Sequence, residues 1–568
     1  MPPPPPPRPR SGFRRRDFLT RLAAAPFGIG TAAAAAVTPA GALPDQPPAA
    51  VATGNYDLGP PSNALVTGVD PQELVLFAFD DHWIPLRHHL ALELSQPTPH
   101  PNNPVMRRGG PGELDHFFAS LYGTVFLLDG KFRMWYGAVD SWEEFQPGRT
   151  NMRLAYAESS DGVEWVKPKL GLQTYHGSKD NNLLALGREC YNCLVIYDPE
   201  DLDPRQRFKM SFVGYHHPGM PIRPLLCTAF SPDGFRWTES ADNPVIRNTW
   251  AEASGLYRWN GIYYCNGQSG WPLRNPKRTM ISFASGNFRH WEQAAIVSFH
   301  RWVQDNAIPG PERPVAPGSA GPNPDNIGPQ VHLGASIWHR RSVLLGLYGK
   351  WENEEQGRSP GTRIDLGLII SNDGLLFREP VPGFRFIPWG SETSGWKTLR
   401  LLQAQAFVNH GDKTFIWYSA ASDDTGQAIA MENQAEVGLA TLPRDRFGCL
   451  RPYGPEATWT SQALPPMPGG AEVAFNVDGL NPDSGRLRVE LLAHDFSPLE
   501  PFSGPKAARL SESGLRAVAK WDGANTLAAL PHPWRIRVTW EGGTAETARF
   551  YCAYVRDAKR ASERASKK

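Results

Sequence analysis

Short apolar runs broken by turn residues fill the chain from about residue 123, too brief and too closely spaced for helices. One segment, Ser159-Ser160-Asp161-Gly162-Val163-Glu164-Trp165, recurs as Ser231-Pro232-Asp233-Gly234-Phe235-Arg236-Trp237. Weaker copies run from Ser285 to Trp291 and from Ser371 to Phe377, and a degenerate fifth spans Thr441 to Phe447. Each follows a strand-like run: Arg153 to Ala157, Leu225 to Phe230, Thr279 to Ala284, Leu366 to Ile370, and Val437 to Ala440. A second set lies upstream (Phe132 to Tyr136, Phe208 to Phe212, Ile262 to Tyr264, Val343 to Leu347, Phe415 to Tyr418). A third precedes it (Gly123 to Leu128, Leu194 to Tyr197, Gly255 to Trp259, Ala335 to Trp338, Ala406 to Asn409). Three strands, an Asp-Gly turn and a fourth strand opened by an aromatic residue, five times over, predict a five-bladed β-propeller. The repeated Asp-Gly supplies the turn and the Trp a wedge between blades, so neither is assigned to catalysis.

After Leu450 the spacing changes. A Pro/Gly-rich stretch, Pro465 to Gly470, precedes period-2 runs at Val473 to Val477, Leu487 to Leu492, Ala517 to Trp521, Ile536 to Trp540 and Phe550 to Tyr554. These predict a β-sandwich. The fold class is therefore all-β, a five-bladed β-propeller (74–455) followed by a C-terminal β-sandwich (456–555), with a short basic tail (556–568).

Composition agrees. Gly and Pro contribute 54 and 55 of 568 residues, aromatic residues 11% and charged residues 20%, which excludes a helical bundle and a disordered chain. The first 42 residues hold six Arg against one Asp, so of the overall +1 the rest carries −4, and no basic patch points to nucleic acid. Six Cys in so long a chain form no disulfide framework; the lone Cys190-x-x-Cys193 pair reads as buried thiols.

The start is different. Arg14-Arg15-Arg16-Asp17-Phe18-Leu19, an Ala-rich apolar stretch from Leu22 to Val37, and Ala40-Gly41-Ala42 resemble a twin-arginine export signal. The apolar run falls short of the roughly 20 residues a membrane span needs. The expectation is a signal over 1–42, a linker over 43–73, cleavage after Ala42, no lasting membrane anchor, and a periplasmic or extracellular product.

The Ser-x-Asp-Gly-x-x-Trp repeats, the five-fold strand pattern, Gly177-Ser178-Lys179-Asp180-Asn181-Asn182 and Val437 to Leu442 resemble the catalytic propellers of glycoside hydrolase families 32 and 43, above all exported bacterial proteins of the family-32-like group. The resemblance implies a carbohydrate substrate, no cofactor, and carboxylates ahead of the innermost strands of the early blades. Glycoside cleavage needs one carboxyl to protonate the leaving oxygen and another as nucleophile or base. Candidates are Asp115 before blade one, Asp180 and Glu189 before blade two, and Glu252, beside Trp250, before blade three. Asp81, Trp250, His332, Trp389 and Trp396 are candidate sugar contacts; Glu392 precedes blade five with the last two tryptophans. The Trp-x-Asn-Asp-Pro-Asn-Gly opening and the Arg-Asp-Pro and Glu-Cys segments of the sucrose and fructan enzymes have no match in corresponding places, and Lys397 follows Trp396 where relatives carry an acid. Two functions follow as expectations: an exported glycoside hydrolase, or a glycan-binding propeller without catalysis.

Overall fold

Each Ser-x-Asp-Gly segment caps its own backbone. Ser159 Oγ accepts from the Gly162 amide at 2.9 Å and Asp161 Oδ1 from Val163 and Glu164 at 2.8 and 2.9 Å. Ser231 and Asp233 repeat the pattern, and so do Ser371 and Asp373. The turn needs a positive φ, which glycine supplies at 79°, 78° and 81° for Gly162, Gly234 and Gly374. The glycine carbonyl then takes a donor from the preceding blade: Trp417 Nε1 to Gly162 at 2.8 Å, Trp135 Nε1 to Gly234 at 2.8 Å and Tyr257 OH to Gly374 at 2.7 Å. The repeat staples blade to blade, and Trp417 closes the ring from blade five to blade one.

The computed structural model describes residues 61–141, 152–220, 222–249, 252–269, 278–301, 328–353, 363–422, 435–481, 485–524, 526–527, 529–542 and 547–558. They belong to one unit, Tyr56–Lys568. The export signal, Trp250 and the tail beyond 558 lie outside them. No helix among the described residues is long and apolar enough to cross a membrane.

The propeller has five blades, with innermost strands Phe118–Leu128, Tyr191–Tyr197, Glu252–Trp259, Gly328–His339 and, in two pieces, Thr398–Leu402 and Phe407–His410. Successive antiparallel strands build each blade outward. Blade five differs from the expected order. Its outer strand, Thr98–Pro99, comes from ahead of blade one and pairs with Ala440 and Thr441, so chain from both sides of the repeat closes the ring.

Two sheets form the sandwich. One contains Leu74–Phe77, Leu90–Leu94, Gly448–Pro452, Ala471–Asp478, Gly514–Val518 and Arg549–Asp557; the other contains Leu86–His88, Thr458–Thr460, Arg486–Ala493, Ala508–Leu510 and Trp534–Glu541. Leu76, Trp459, Phe475, Leu491, Trp534 and Phe550 share one core between them. Residues 74–94, expected in the propeller, thus belong to the sandwich: Leu74 pairs with Val555 and Leu94 with Gly448. Period-2 alternation reports that a strand has a buried face, not which sheet it joins.

Residues 62–68, expected in a linker, form a strap across the hairpin end of the axis. Val66 packs with Phe126 of blade one. Asn63 Oδ1 accepts from Tyr197 N at 2.9 Å, Ser62 Oγ from Arg258 N at 3.2 Å, and Thr67 O from Asn409 N at 2.9 Å. Ser62 N donates to His339 Nδ1 at 2.9 Å. One segment thereby touches all five innermost strands. Burial holds the His339 ring neutral, its pKa pushed down to about 3 against an unfolded value near 6.5. The stability tied to this neutral ring is fully present above about pH 6.5 and is lost as pH falls toward 3. Denaturant unfolding of the parent should weaken by about 1.4 kcal/mol more per pH unit below pH 6 than that of His339→Gln; parallel pH profiles would contradict this.

Candidate functional site

At the end opposite the strap, where the innermost strands begin, the strands of all five blades are irregular. Register shifts fall between Ser120 and Thr124, Tyr191 and Leu194, Ala253 and Gly255, His332 and Ala335, and Thr398 and Arg400. Bulges re-aim side chains, and they cluster at barrel rims and active sites. In blade four the bulge holds Leu333 at φ 61° and Gly334 at φ 104°, a conformation a branched side chain adopts only under constraint. Gly255 is required by a close approach: a Cβ there would sit 2.1 Å from Ala335 O.

The axis beneath these bulges is closed by two buried glutamines of blade five. Gln405 Oε1 accepts from Leu256 N at 2.8 Å, its Nε2 donates to Val195 O at 3.1 Å, and its backbone N donates to Gly123 O at 2.9 Å. Gln403 Nε2 donates to Ser254 Oγ, His332 O and Gly334 O at 2.9, 2.7 and 3.0 Å. Among the described residues the strap covers the far end, so the bulged end is taken as the candidate site.

Glu252 stands at that end, as the first residue of its strand. Gln268 Nε2 donates to Glu252 Oε2 at 3.2 Å. The amide orientation is fixed because Gln268 Oε1 accepts from Leu333 N at 3.1 Å and Arg278 Nη1 at 3.2 Å. Arg278 in turn lies 4.3 Å over the Trp351 ring, and His332 meets Trp351 edge-on at 5.8 Å. A carboxyl, a guanidinium and an imidazole from blades three and four are thus assembled around one amide and one indole. Gln268, Arg278, Trp351, Gln403 and Gln405 escaped the sequence reading, which looked for acids ahead of the innermost strands and for a few His and Trp sugar contacts; the glycines at 255 and 334 inside strand runs were the available signal.

Glu189 lines a neighbouring cleft of about 250 Å³ between blades one and two, with Arg153, Gln173 and Arg188. Its Oε1 takes Arg188 Nη2 at 3.0 Å and faces His216 Nδ1 at 3.2 Å. Burial would raise its pKa, but its own backbone amide and the Arg188 charge outweigh that and hold it below the ordinary carboxylate range. Asn192 Nδ2 donates to Ala253 O at 2.8 Å, which ties the strand after Glu189 to the strand opened by Glu252.

The other candidates are placed elsewhere. Asp115 is 1% exposed; Lys167 Nζ lies 2.6 Å from its Oδ2, and Tyr136 OH donates to the same oxygen at 2.8 Å. Asn182 Nδ2 donates to Tyr136 OH and Tyr156 O. Blade five repeats this lock with Glu392, Tyr418 and Asn103, the Asn reaching Leu439 O. Its recurrence between blades marks a device that fastens connectors, and burial raises the Glu392 pKa. Asp180 is exposed on the edge of blade one, 2.9 Å from Lys169. Asp81 pairs with Arg378 beside the Asn372 turn, at the hairpin end and away from the bulges. His332 is buried at the bulged end. Trp396, expected to offer an open ring, is buried against Gly438, and Arg363 covers the Trp389 ring at 4.8 Å. Both rings are taken by packing that no local pattern announces. Among the described residues no group of three or more His, Cys, Asp or Glu could hold a metal ion.

No protein-family model and no curated protein matches the chain. Solved structures do. A glycosyl hydrolase from Bacteroides ovatus shares 13% identity at a TM-score of 0.37, over 62% of this chain and 95% of its own. A structure from work on the GH130 family of mannoside phosphorylases, which contains glycoside hydrolases that target β-1,2-mannosidic linkages in Candida mannan, shares 15% at 0.37, over 62% and 95%. A Bombyx mori GH32 β-fructofuranosidase shares 11% at 0.35, over 81% and 92%. At these identities and scores none of them assigns an activity to this chain, and the architecture stands on its own sheets.

Proposed function

We propose that this protein is an exported glycoside hydrolase that works at the bulged end of the propeller axis, with Glu252 as proton donor and Glu189 as the ionised partner. The observation that carries this is Glu252 at the opening of the third innermost strand, its carboxyl oriented by an amide that Leu333 and Arg278 fix in one direction. Glu252 protonates the glycosidic oxygen as the C–O bond breaks. Glu189, held ionised, takes the proton of the attacking water or attacks the anomeric carbon itself. The export reading rests on the run from Arg14 to Ala42.

A second reading, a glycan-binding propeller without catalysis, is favoured by one observation: Asp115 and Asp180 are each engaged by a lysine, Lys167 and Lys169. Incubating the chain from Leu43 onward with plant, algal and bacterial glycans separates the two. The hydrolase releases new reducing ends from at least one glycan; retention on a glycan without release supports the second reading.

A further inference from the structure

We infer that His88 and His89 form a binding site for one borderline divalent cation, such as Zn²⁺, Ni²⁺ or Cu²⁺, at a corner where the sandwich strands change sheets. Strand Leu86–His88 belongs to one sheet and Leu90–Leu94 to the other, and their partners Thr458–Thr460 and Gly448–Pro452 are divided in the same way. His88 pairs with Thr458 and Leu90 with Pro452, so the two corners lie side by side. His89, at the first corner, has a φ of 52°. Successive side chains of an extended strand point to opposite faces. The left-handed residue breaks that alternation, and the two imidazoles stack with centroids 3.9 Å apart and planes inclined by 33°.

The second corner orients both rings. His89 Nδ1 lies 2.5 Å from Pro455 O, and His88 Nδ1 lies 3.5 Å from Glu456 O. A carbonyl oxygen only accepts, so each contact puts the ring proton on Nδ1 and leaves the lone pair on Nε2. Metal-binding histidines are prepared in this way: the other nitrogen donates to a carbonyl, which fixes tautomer and ring direction. Gly454 backs the His89 ring, and a Cβ there would lie 3.1 Å from His89 Cγ. Neither Nε2 has a hydrogen-bond partner among the described residues, and His88 is exposed. Borderline cations take imidazole nitrogen, whereas Mg²⁺ and Ca²⁺ take oxygen. Two Zn–N bonds of about 2.0–2.1 Å at a tetrahedral angle set the nitrogens about 3.3 Å apart. The stacked rings reach that spacing by a small pivot of His88, whose carbonyl contact is the longer of the two. Solvent completes the coordination, in keeping with the lack of any three-residue cluster among the described residues.

Equilibrium dialysis of the tag-free full chain against Zn²⁺, together with electron paramagnetic resonance after one equivalent of Cu²⁺, tests this. The parent should bind Zn²⁺ at least about tenfold more tightly than His88→Asn or His89→Asn, a loss of the size that perturbing a metal-bound histidine produces. Asparagine at 89 tolerates the left-handed region and carries an amide that can donate to Pro455 O, so melting curves without metal should coincide with the parent's. His532→Asn, which removes an exposed histidine ahead of strand Trp534–Glu541, should bind as the parent does. The Cu²⁺ spectrum of the parent should show coupling to two nitrogen ligands. Excess Mg²⁺ or Ca²⁺ should leave the Zn²⁺ occupancy unchanged. Equal binding by parent and either variant, a spectrum without coupling to two nitrogens, or displacement by Mg²⁺ or Ca²⁺ overturns the inference. If His89→Asn melts lower, His88→Asn decides by itself, because it removes an exposed ring and leaves the Pro455 contact in place.

Discussion

Glu252→Gln should lower glycan turnover by about 10²- to 10⁴-fold, the usual contribution of a positioned general acid, while leaving the melting temperature and glycan retention unchanged. Glutamine keeps the side-chain length and an oxygen that can accept from Gln268 Nε2, so the hydrogen bond at 3.2 Å persists. What is lost is the transferable proton. The strand itself is secured elsewhere, by Gln405 at Leu256 N and Gln403 at Ser254 Oγ, so a stability loss is not expected. Reducing-end assays on the glycan that the parent cleaves provide the measurement. Turnover within about threefold of the parent would remove Glu252 from the chemistry and direct attention to Glu189.

The largest expected loss of stability lies at the opposite end, where the sandwich docks on the propeller. Arg340 and Asp445 form a fully buried pair, with a second contact from Nη2 to Oδ2 at 3.1 Å. Asn409 Nδ2 and Tyr554 OH each donate to Asp445 at 2.9 Å, and the guanidinium lies over Trp338 at 4.5 Å and Phe77 at 5.3 Å. Blades four and five and both chain ends of the sandwich thus meet on one ion pair. Asp445→Asn leaves the Arg340 charge buried without a counter-ion, which costs about 3–5 kcal/mol. Burial would raise the Asp445 pKa, but the Arg340 charge and the surrounding donors hold it below the ordinary value. Its stabilising effect is therefore present above the unfolded value near 4 and is lost as pH falls through the folded one. Denaturant unfolding at pH 7 should show the loss in Asp445→Asn, and the gap between parent and variant should close on acidification. A variant as stable as the parent at pH 7 would contradict the account.

The repeat carried the fold. Ser-x-Asp-Gly caps its own turn, and the strands read at Arg153 to Ala157, Leu225 to Phe230 and Thr279 to Ala284 lie inside observed strands, because turn chemistry and period-2 burial are local properties. The site was legible only in part. Glu252 was visible as an acid ahead of an innermost strand, whereas Asp115 met the same criterion and is fastened in a Tyr-Asn lock instead. Position before a strand is encoded locally; the direction a carboxyl faces depends on which side chains the neighbouring blade presents.

Sequence by itself thus determined five blades, a second β-domain and a short set of acids, since each follows from spacing, turn residues and alternation within a few tens of residues. Tertiary structure decided the rest: that residues 74–94 join the sandwich, that 62–68 strap one end of the axis, that Thr98–Pro99 completes blade five, and that Gln268 rather than a second acid orients Glu252. The first three join residues far apart in the chain, and the last, a pair across one hairpin, takes its direction from Leu333 of the next blade. Such pairings are selected by the free energy of satisfying buried polar groups in the assembled ring, a quantity that no single segment contains.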